Sequence, residues 1–143
     1  MFTGEYRHSL DAKNRLVIPA KLRAGLGDAF TVTKGLDGCL TIYTPKAWAK
    51  VQEQLEKLPA TKKSARQYIR FMTSGATDVS LDSMSRIQLP QSLLAYAGIT
   101  KNCVIIGAGD NVEIWDEAAW DKYNSDTAEN FDDVAESLTE YLV

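Results

Sequence analysis

Cysteine and histidine are scarce in this sequence. Disulfide scaffolds, metal centres and most nucleophilic sites require these residues. It has two cysteines and one histidine among 143 residues. Two cysteines do not make a disulfide framework. Cys39 and Cys103 both lie among apolar residues, so we expect buried thiols and a reducing, cytoplasmic location. Histidine and cysteine show no metal-ligand spacing, and we predict no metal and no other cofactor.

Long apolar runs are also absent. No stretch approaches the ~20 apolar residues that a membrane-spanning helix needs, and we expect no membrane partner. Residues 1–7 show no basic segment followed by an apolar run, the pattern of a secretory signal. With 45% hydrophobic and 24% charged residues, the composition is typical of a globular protein and argues against wholesale disorder.

Positive charge is lacking at one end of the chain only. Residues 110–143 contain one basic and 11 acidic residues, whereas residues 1–109 contain 15 basic and 8 acidic residues. The net charges of these two parts are therefore −10 and +7. Residues 7–23 alone hold five basic residues and one acidic residue. Because binding follows the local potential, the total charge of −3 does not exclude a nucleic-acid partner.

The sequence contains an internal repeat. Residues 9–19 match residues 80–90 at an offset of 71, and the shared positions include an aspartate, an arginine four residues later and a proline. The match continues at an offset of 72 as far as Trp48 and Trp120, which indicates one inserted residue after Gly27. We therefore predict two copies of one small unit.

Each copy is predicted to contain about four short strands and a short helix, too few to form a stable core alone. Two copies can cover each other's apolar faces. We predict an α+β fold in which repeats 4–48 and 76–120 form a pseudo-two-fold β-barrel. Amphipathic helices in a connector, 49–75, and in an acidic segment, 121–143, flank it. We expect their apolar faces to pack on the barrel, with a subunit interface as the alternative.

The turn at residues 11–15, Asp-Ala-Lys-Asn-Arg, carries the most informative chemistry. Asp11 can accept backbone N–H bonds and pair with Arg15, and Asn14 tolerates a left-handed backbone. Lys13 and Arg15 would then project from a rigid loop, where arginine can clamp a phosphate or bind guanine at O6 and N7. From the residues alone, it is equally open that Asp11 and Arg15 only staple the turn.

The second turn, residues 82–86, keeps Asp82 and Arg86 but has Ser-Met-Ser between them. It lacks the lysine and the asparagine of the first turn. We therefore expect the second turn to contribute less positive charge.

These turns carry a family resemblance. An Asp-x-x-x-Arg turn followed by an apolar run, a proline and a short helix, as in residues 11–26, resembles the SpoVT/AbrB swapped-hairpin DNA-binding domain. Two such units, with Met-Phe-Thr-Gly-Glu-Tyr at 1–6 and Ser-Gly-Ala-Thr at 74–77, resemble the MraZ family of bacterial transcriptional regulators. The resemblance covers residues 1–123. The family usually has glycine before the arginine, where this chain has Asn14 and Ser85.

The resemblance implies a swapped-hairpin fold and subunits that assemble into a homo-oligomeric ring. Its partner would be double-stranded DNA, read as direct repeats in the promoter of a division and cell-wall gene cluster, and its location the cytoplasm and nucleoid. The turns and their basic neighbours give the predicted site: DNA-binding Arg7, Lys13, Asn14, Arg15, Lys21 and Arg86, with Asp11 and Asp82 bracing the turns.

Two other classes of function are weighed against DNA binding. An enzyme would need His8 near Cys39 or a serine, and the sequence has no nucleophile elbow. The stretch 107–109 also lacks the third glycine of a nucleotide loop, so we predict no catalytic residue and no small-molecule substrate. The other class is an oligomeric scaffold or an antitoxin-like protein of the same fold. Antitoxins usually have a disordered tail, whereas this tail has helical periodicity.

Overall fold

The computed structural model describes residues 1–142, so the last residue of the predicted segment 121–143 lies outside the described residues. Within this range the chain forms eight strands, six α-helices and two 3-10 turns. The strands are β1 Glu5–Ser9, β2 Arg15–Val17, β3 Ala29–Lys34, β4 Leu40–Tyr43, β5 Thr77–Ser80, β6 Arg86–Gln88, β7 Asn102–Gly107 and β8 Val112–Asp116. The helices are α1 Ala20–Leu26, α2 Pro45–Glu56, α3 Lys63–Gly75, α4 Gln91–Ala97, α5 Glu117–Glu129 and α6 Phe131–Ser137. The 3-10 turns are Leu36–Gly38 and Thr139–Tyr141.

Local sequence signals explain where the helices begin. The Thr44 hydroxyl accepts a hydrogen bond from the Ala47 N–H at 3.1 Å, and α2 starts with proline. Asp116 caps α5 in the same way, with its carboxylate 3.1 Å from the Ala119 nitrogen. Both predicted helix starts are confirmed.

The two repeats exchange strands. A six-stranded antiparallel sheet has the order β1-β7-β8-β4-β3-β5, and β2 pairs with β6 in a second, two-stranded sheet. Thus β1 of the first repeat joins the sheet beside β7 of the second repeat, and β5 of the second joins it beside β3 of the first. Each repeat completes the sheet of the other, and the duplicated α+β fold is confirmed.

The strand register shows a pseudo-two-fold axis between the repeats. The repeat makes Leu40 equivalent to Val112 and Ile42 equivalent to Ile114. In the β4–β8 pair the partners are crossed: Leu40 faces Ile114, and Ile42 faces Val112. In the β2–β6 pair, Leu16 faces its own counterpart, Ile87. The axis therefore passes through the middle of both strand pairs.

The expected β-barrel is not closed by hydrogen bonds. Among residues 1–142, β1 and β5 form the two edges of the larger sheet, and they do not pair with each other. The strands β2 and β6 pair only with one another instead of bridging these edges. The architecture is therefore one open sheet and one two-stranded sheet around a shared core.

The core lies between these sheets and the short helices. Leu16, Ile18, Ile87 and Leu89, from the two-stranded sheet and the residues after it, are fully or almost fully buried. Both cysteines are buried and unpaired, and burial raises the pKa of each thiol to about 12. A thiol held neutral in this way is a poor nucleophile, and the two cysteines act as core residues.

The connector helices pack on the sheet as predicted. Helices α2 and α3 contact β3 and bury Leu55, Ala65 and Met72. In the C-terminal segment the same expectation holds for α5, which contacts β7 and β8. It is wrong for α6, which packs against α5 and the last 3-10 turn and leaves its large apolar side chains exposed. Phe131 is 62% exposed and Tyr141 is 75% exposed.

Within residues 1–142 the structure has neither a membrane-spanning helix nor a metal-binding cluster of side chains. None of the helices in residues 1–142 combines the length and apolarity that crossing a membrane takes. In the same range, histidine, cysteine, aspartate and glutamate form no group of three or more suited to hold a metal ion.

The β2–β6 pair should carry much of the stability of the fold. Leu16 is fully buried against Ile87, so we expect Leu16→Ala to lower the free energy of unfolding by about 2–5 kcal/mol. The neighbouring Val17 is partly exposed, and Val17→Ala should cost less than about 1 kcal/mol. Urea unfolding at one fixed protein concentration measures both. Equal losses in the two variants would contradict a core at this strand pair.

Candidate nucleic-acid interface

The first turn is held together by the carboxylate of Asp11. Its Oδ1 accepts hydrogen bonds from the backbone N–H groups of Lys13 and Arg15, both at 2.9 Å. Its Oδ2 accepts one from Nε of Arg15 at 2.6 Å. Asn14 lies in the left-handed region with φ of 59°, which lets the chain reverse between β1 and β2. The arginine therefore leaves a turn whose backbone and side chain share one anchor.

The second turn repeats this geometry. Asp82 accepts bonds from the backbone N–H groups of Met84 and Arg86 at 2.9 Å and from Nε of Arg86 at 2.8 Å. Ser85 occupies the left-handed position with φ of 60°. Serine tolerates this conformation less well than asparagine, so the second turn holds some backbone strain.

Ionisation of Asp11 is favoured by its contacts. The backbone N–H of Arg15 is the largest cause, helped by the guanidinium of the same residue, and together they lower the pKa of Asp11 to about 2. The pKa of Asp82 is lowered for the corresponding reason, the backbone N–H of Arg86. Both carboxylates are therefore charged at neutral pH, when the turns are fully braced.

Strand pairing brings the two turns together on one edge of the molecule. Beyond the β2–β6 pair, the Ile18 N–H donates to the Ser85 carbonyl at 2.9 Å. The equivalent bond joins the Leu89 N–H to the Asn14 carbonyl at 3.0 Å. Each turn is thus hydrogen bonded to the residue just after the strand that follows the other turn.

The pair of turns is not symmetric in its charges. Nη1 of Arg86 lies 3.7 Å from Oδ2 of Asp11, so Arg86 is attracted by the aspartates of both turns. Its side chain is 20% exposed, compared with 31% for Arg15. Within residues 1–142, neither Nη1 nor Nη2 of Arg15 donates a hydrogen bond to a protein acceptor. The first turn therefore presents the freer guanidinium.

Exposed lysines also lie on the side of the first turn. Lys13 is exposed at the tip of the first turn, where the second turn has the exposed Met84. Lys21 is exposed in the first turn of α1, which follows β2 after two residues. The positive charge of this edge is concentrated in the first repeat.

Arg7 does not belong to this group. Its guanidinium lies 2.7 Å from Asp121, 3.1 Å from Glu5 and 3.4 Å from Glu117. The hydrogen bond to Asp121 is the main reason why the pKa of Arg7 is raised above its ordinary value. Three carboxylates thus neutralise Arg7 between β1 and α5. Its place among the predicted DNA-binding residues is not supported.

Gln88 is a residue that the sequence reasoning missed. Its side-chain amide donates to the carbonyl of Lys13 at 3.0 Å and ties the second repeat to the tip of the first turn. The repeat aligns Gln88 with Val17. A polar residue in place of an apolar one at this exposed strand position could have marked Gln88 from the sequence.

The exchanged strands and the paired turns define a class of protein: a duplicated α+β protein with intertwined repeats and two braced Asp-x-x-x-Arg turns on one edge. A family model described as "MraZ protein, putative antitoxin-like" matches residues 1–71 and 72–141. The chain belongs to the MraZ family, and the resemblance noted from the sequence is confirmed.

Curated relatives cover almost the whole chain. The transcriptional regulator MraZ of Ligilactobacillus salivarius is 48% identical over 141 residues, 99% of each chain. That of Desulforamulus reducens is 45% identical over 142 residues, 99% of this chain and 100% of the relative. That of Lactiplantibacillus plantarum is 46% identical over 141 residues, with the same coverage.

The ionisation of Asp11 predicts a pH dependence. The pKa of Asp11 falls from 3.8 in the unfolded chain to about 2 in the folded protein. The stability that its ionised form contributes is therefore complete above the unfolded pKa, and it is lost as the pH drops through the folded pKa. We expect Asp11→Asn to lower the free energy of unfolding by a constant amount from about pH 7 to about pH 5. The difference from the unsubstituted protein should shrink below about pH 4. Urea titrations across this range measure it, and a difference that shrinks above about pH 5 would contradict the assignment.

Proposed function

We propose that this protein is a transcriptional regulator that binds double-stranded DNA sequence-specifically through its Asp-x-x-x-Arg turns. It acts on promoter direct repeats of the division and cell-wall gene cluster, as a ring of copies in the cytoplasm at the nucleoid. The observation that carries the proposal is the braced, partly exposed guanidinium of Arg15. The name of the relatives, transcriptional regulator MraZ, supports the class and a role other than catalysis.

The bracing of Arg15 suits it to reading a base. Nε is engaged by Asp11 at 2.6 Å, so the two terminal nitrogens form the free edge of the guanidinium. That edge can donate two parallel hydrogen bonds to O6 and N7 of guanine in the major groove. Because the side chain is already ordered, binding loses less conformational entropy than it would with a mobile arginine.

The neighbouring groups suit the DNA backbone. Lys13 and Lys21 are exposed, and lysine interacts with phosphate as a compact point charge. Asn14 shapes the turn with its left-handed backbone and lies beside both Lys13 and Arg15. We assign Lys13 and Lys21 to phosphates and Asn14 to the placement of its two neighbours.

The second turn supports the first. Arg86 is more buried than Arg15, and its charge is shared between Asp82 and Asp11. A guanidinium held by two carboxylates has less to gain from a phosphate or a base. We therefore propose that Arg86 chiefly positions Asp11, and that it contributes little specificity of its own.

A single turn binds DNA weakly, because two or three positive contacts give a non-specific Kd on the order of 10⁻⁴ M or weaker. Several copies on one assembly raise the affinity by about 10²–10⁴-fold when their spacing matches the spacing of the sites. Direct repeats in a promoter provide that match. This is the physical reason for proposing an oligomer rather than a monomer.

Arg15 should be the residue most sensitive to substitution. We expect Arg15→Ala to weaken specific binding by about 1–3 kcal/mol per engaged turn, or roughly 5- to 150-fold, because the two bonds to a base are lost. Arg7→Ala is the matched control, since acids neutralise Arg7, and should bind like the unsubstituted protein. A gel shift on the DNA upstream of its own gene measures this. Retained promoter affinity in Arg15→Ala would refute the role of Arg15. If the unsubstituted protein forms a stable oligomer without DNA affinity, the alternative function of an oligomeric scaffold is favoured.

Lys13 should affect all DNA sequences alike. We expect Lys13→Ala to weaken specific and non-specific binding together and to reduce the slope of log K against log salt by about 1 per engaged turn. Lys50→Ala, an exposed lysine of α2, serves as the control and should leave the slope unchanged. Binding titrations at a series of salt concentrations provide the slopes. An unaltered slope in Lys13→Ala would move this residue out of the interface.

A further inference from the structure

The two-stranded sheet of β2 and β6, called here the β2–β6 ribbon, turns one face away from the core. Leu16 and Ile87 are fully buried, so their neighbours along each strand lie on the outer face. These neighbours are all exposed or partly exposed: Arg15 and Val17 on β2, and Arg86 and Gln88 on β6. The major groove of DNA admits a two-stranded ribbon, so residues beside Arg15 on this face can also meet bases.

Gln88 lies directly across the ribbon from Arg15. The two residues are Cα partners, and in the next pair the Leu89 N–H donates to the Asn14 carbonyl at 3.0 Å. Because hydrogen-bonded and non-hydrogen-bonded pairs alternate in an antiparallel ladder, Arg15 and Gln88 form a non-hydrogen-bonded pair, in which side chains lie closer. Their Cβ atoms are then about 4.5–5.5 Å apart, little more than the ~3.4 Å between base pairs. The two side chains can therefore reach neighbouring base pairs.

The amide of Gln88 is held in place and still has a free edge. Its Nε2 donates one hydrogen to the Lys13 carbonyl at 3.0 Å, and since a carbonyl only accepts, this contact sets which way the amide faces. The second hydrogen of Nε2 remains available. Within residues 1–142, no group of the protein donates a side-chain hydrogen bond to Oε1 of Gln88. One free donor and one free acceptor on an amide are the pair that recognises adenine at N7 and N6.

The end of the ribbon that holds Gln88 is also the more basic end. The Leu10 N–H donates to the Lys101 carbonyl at 2.8 Å, so the exposed Lys101 of the second repeat lies beside the first turn. At the equivalent place beside the second turn, the Leu81 N–H donates to the carbonyl of the exposed Asp28 at 2.9 Å. A duplex is therefore attracted more strongly to the first turn, which Gln88 adjoins, than to the second.

We propose that Gln88 is a second base-reading residue, which binds adenine in an A·T pair next to the G·C pair that Arg15 contacts. The inference rests on the DNA binding proposed above and adds a specificity-determining residue from the second repeat. Oε1 accepts a hydrogen bond from N6 of adenine, and the free hydrogen of Nε2 is donated to N7. Because the Lys13 carbonyl already orders the amide, binding loses less conformational entropy.

Binding to a set of altered duplexes tests the role of Gln88. Footprinting on the DNA upstream of its own gene defines one element, and each base pair of that element is then replaced in turn. We expect Gln88→Ala to remove a preference of about 5- to 150-fold for adenine at one position, because alanine is too short to make the two bonds. The preference for guanine that Arg15→Ala removes should remain, and its position should be the neighbouring base pair. Low salt keeps the weakened variants within the measurable range.

The control is Gln52→Ala, the same substitution at an exposed glutamine of α2, which should leave every base preference unchanged. Gln88 is exposed, so Gln88→Ala should change the free energy of unfolding little, and urea unfolding checks that the variant is folded.

A positioning role alone gives a different result. If Gln88 only holds the Lys13 carbonyl, Gln88→Ala weakens binding to all duplexes by one factor and leaves the base preferences intact, which overturns the proposal. Unchanged binding to all duplexes overturns it too, as does a lost preference more than two base pairs from the Arg15 position. If Arg15→Ala alone changes a base preference, the DNA proposal stands and the role of Gln88 does not. A protein that protects no DNA overturns both.

Discussion

The exchange of strands between the two repeats is the constraint on which the rest of the structure depends. Neither repeat has enough strands to bury its own apolar face, so β1 and β5 each enter the sheet beside a strand of the other repeat. The same exchange pairs β2 with β6 and sets Leu16 against Ile87 at the centre of the core. It also fixes the distance between the two turns, because each turn leads directly into one of these paired strands. A change that loosened the β2–β6 pair would therefore disturb stability and the candidate interface together.

Duplication provides two turns with one backbone geometry, and a few side chains then give them different properties. Both turns have the same aspartate bonds and the same left-handed residue. Lys13 stands opposite Met84 in the repeat, and Arg86 reaches toward Asp11 while Arg15 remains freer. Backbone symmetry and electrostatic asymmetry are compatible because the backbone depends on the shared aspartate, whereas the charge depends on residues that the fold does not constrain.

Features that depend on residues close together in sequence, or on the repeat itself, could be predicted from the sequence, whereas features that depend on distant residues could not. The strands, the helix starts at Thr44 and Asp116, and the duplication were visible because periodicity, capping and repetition are local or internal signals. The placement of Arg7 was not, because Arg7 and Asp121 are 114 residues apart in sequence and meet only after the sheet and α5 have assembled. The open sheet was missed for the same reason, since strand order at its edges depends on the whole topology. The exposure of the apolar side chains in residues 131–142 was missed because amphipathic periodicity shows which face is apolar and does not show which surface covers it.

Charge outside the turns also bears on the proposed DNA binding. Residues 57–75 have a net charge of +5 and residues 130–142 one of −4. A basic surface on α3 would compete for DNA phosphate without reading sequence, and the acidic C-terminal residues would repel DNA. The turn edge of the first repeat differs from both, because it combines the exposed Lys13 and Lys21 with a guanidinium that Asp11 holds in place. The turns therefore differ from α3 in order as well as in charge, since the braced Arg15 has a fixed free edge to set against a base pair.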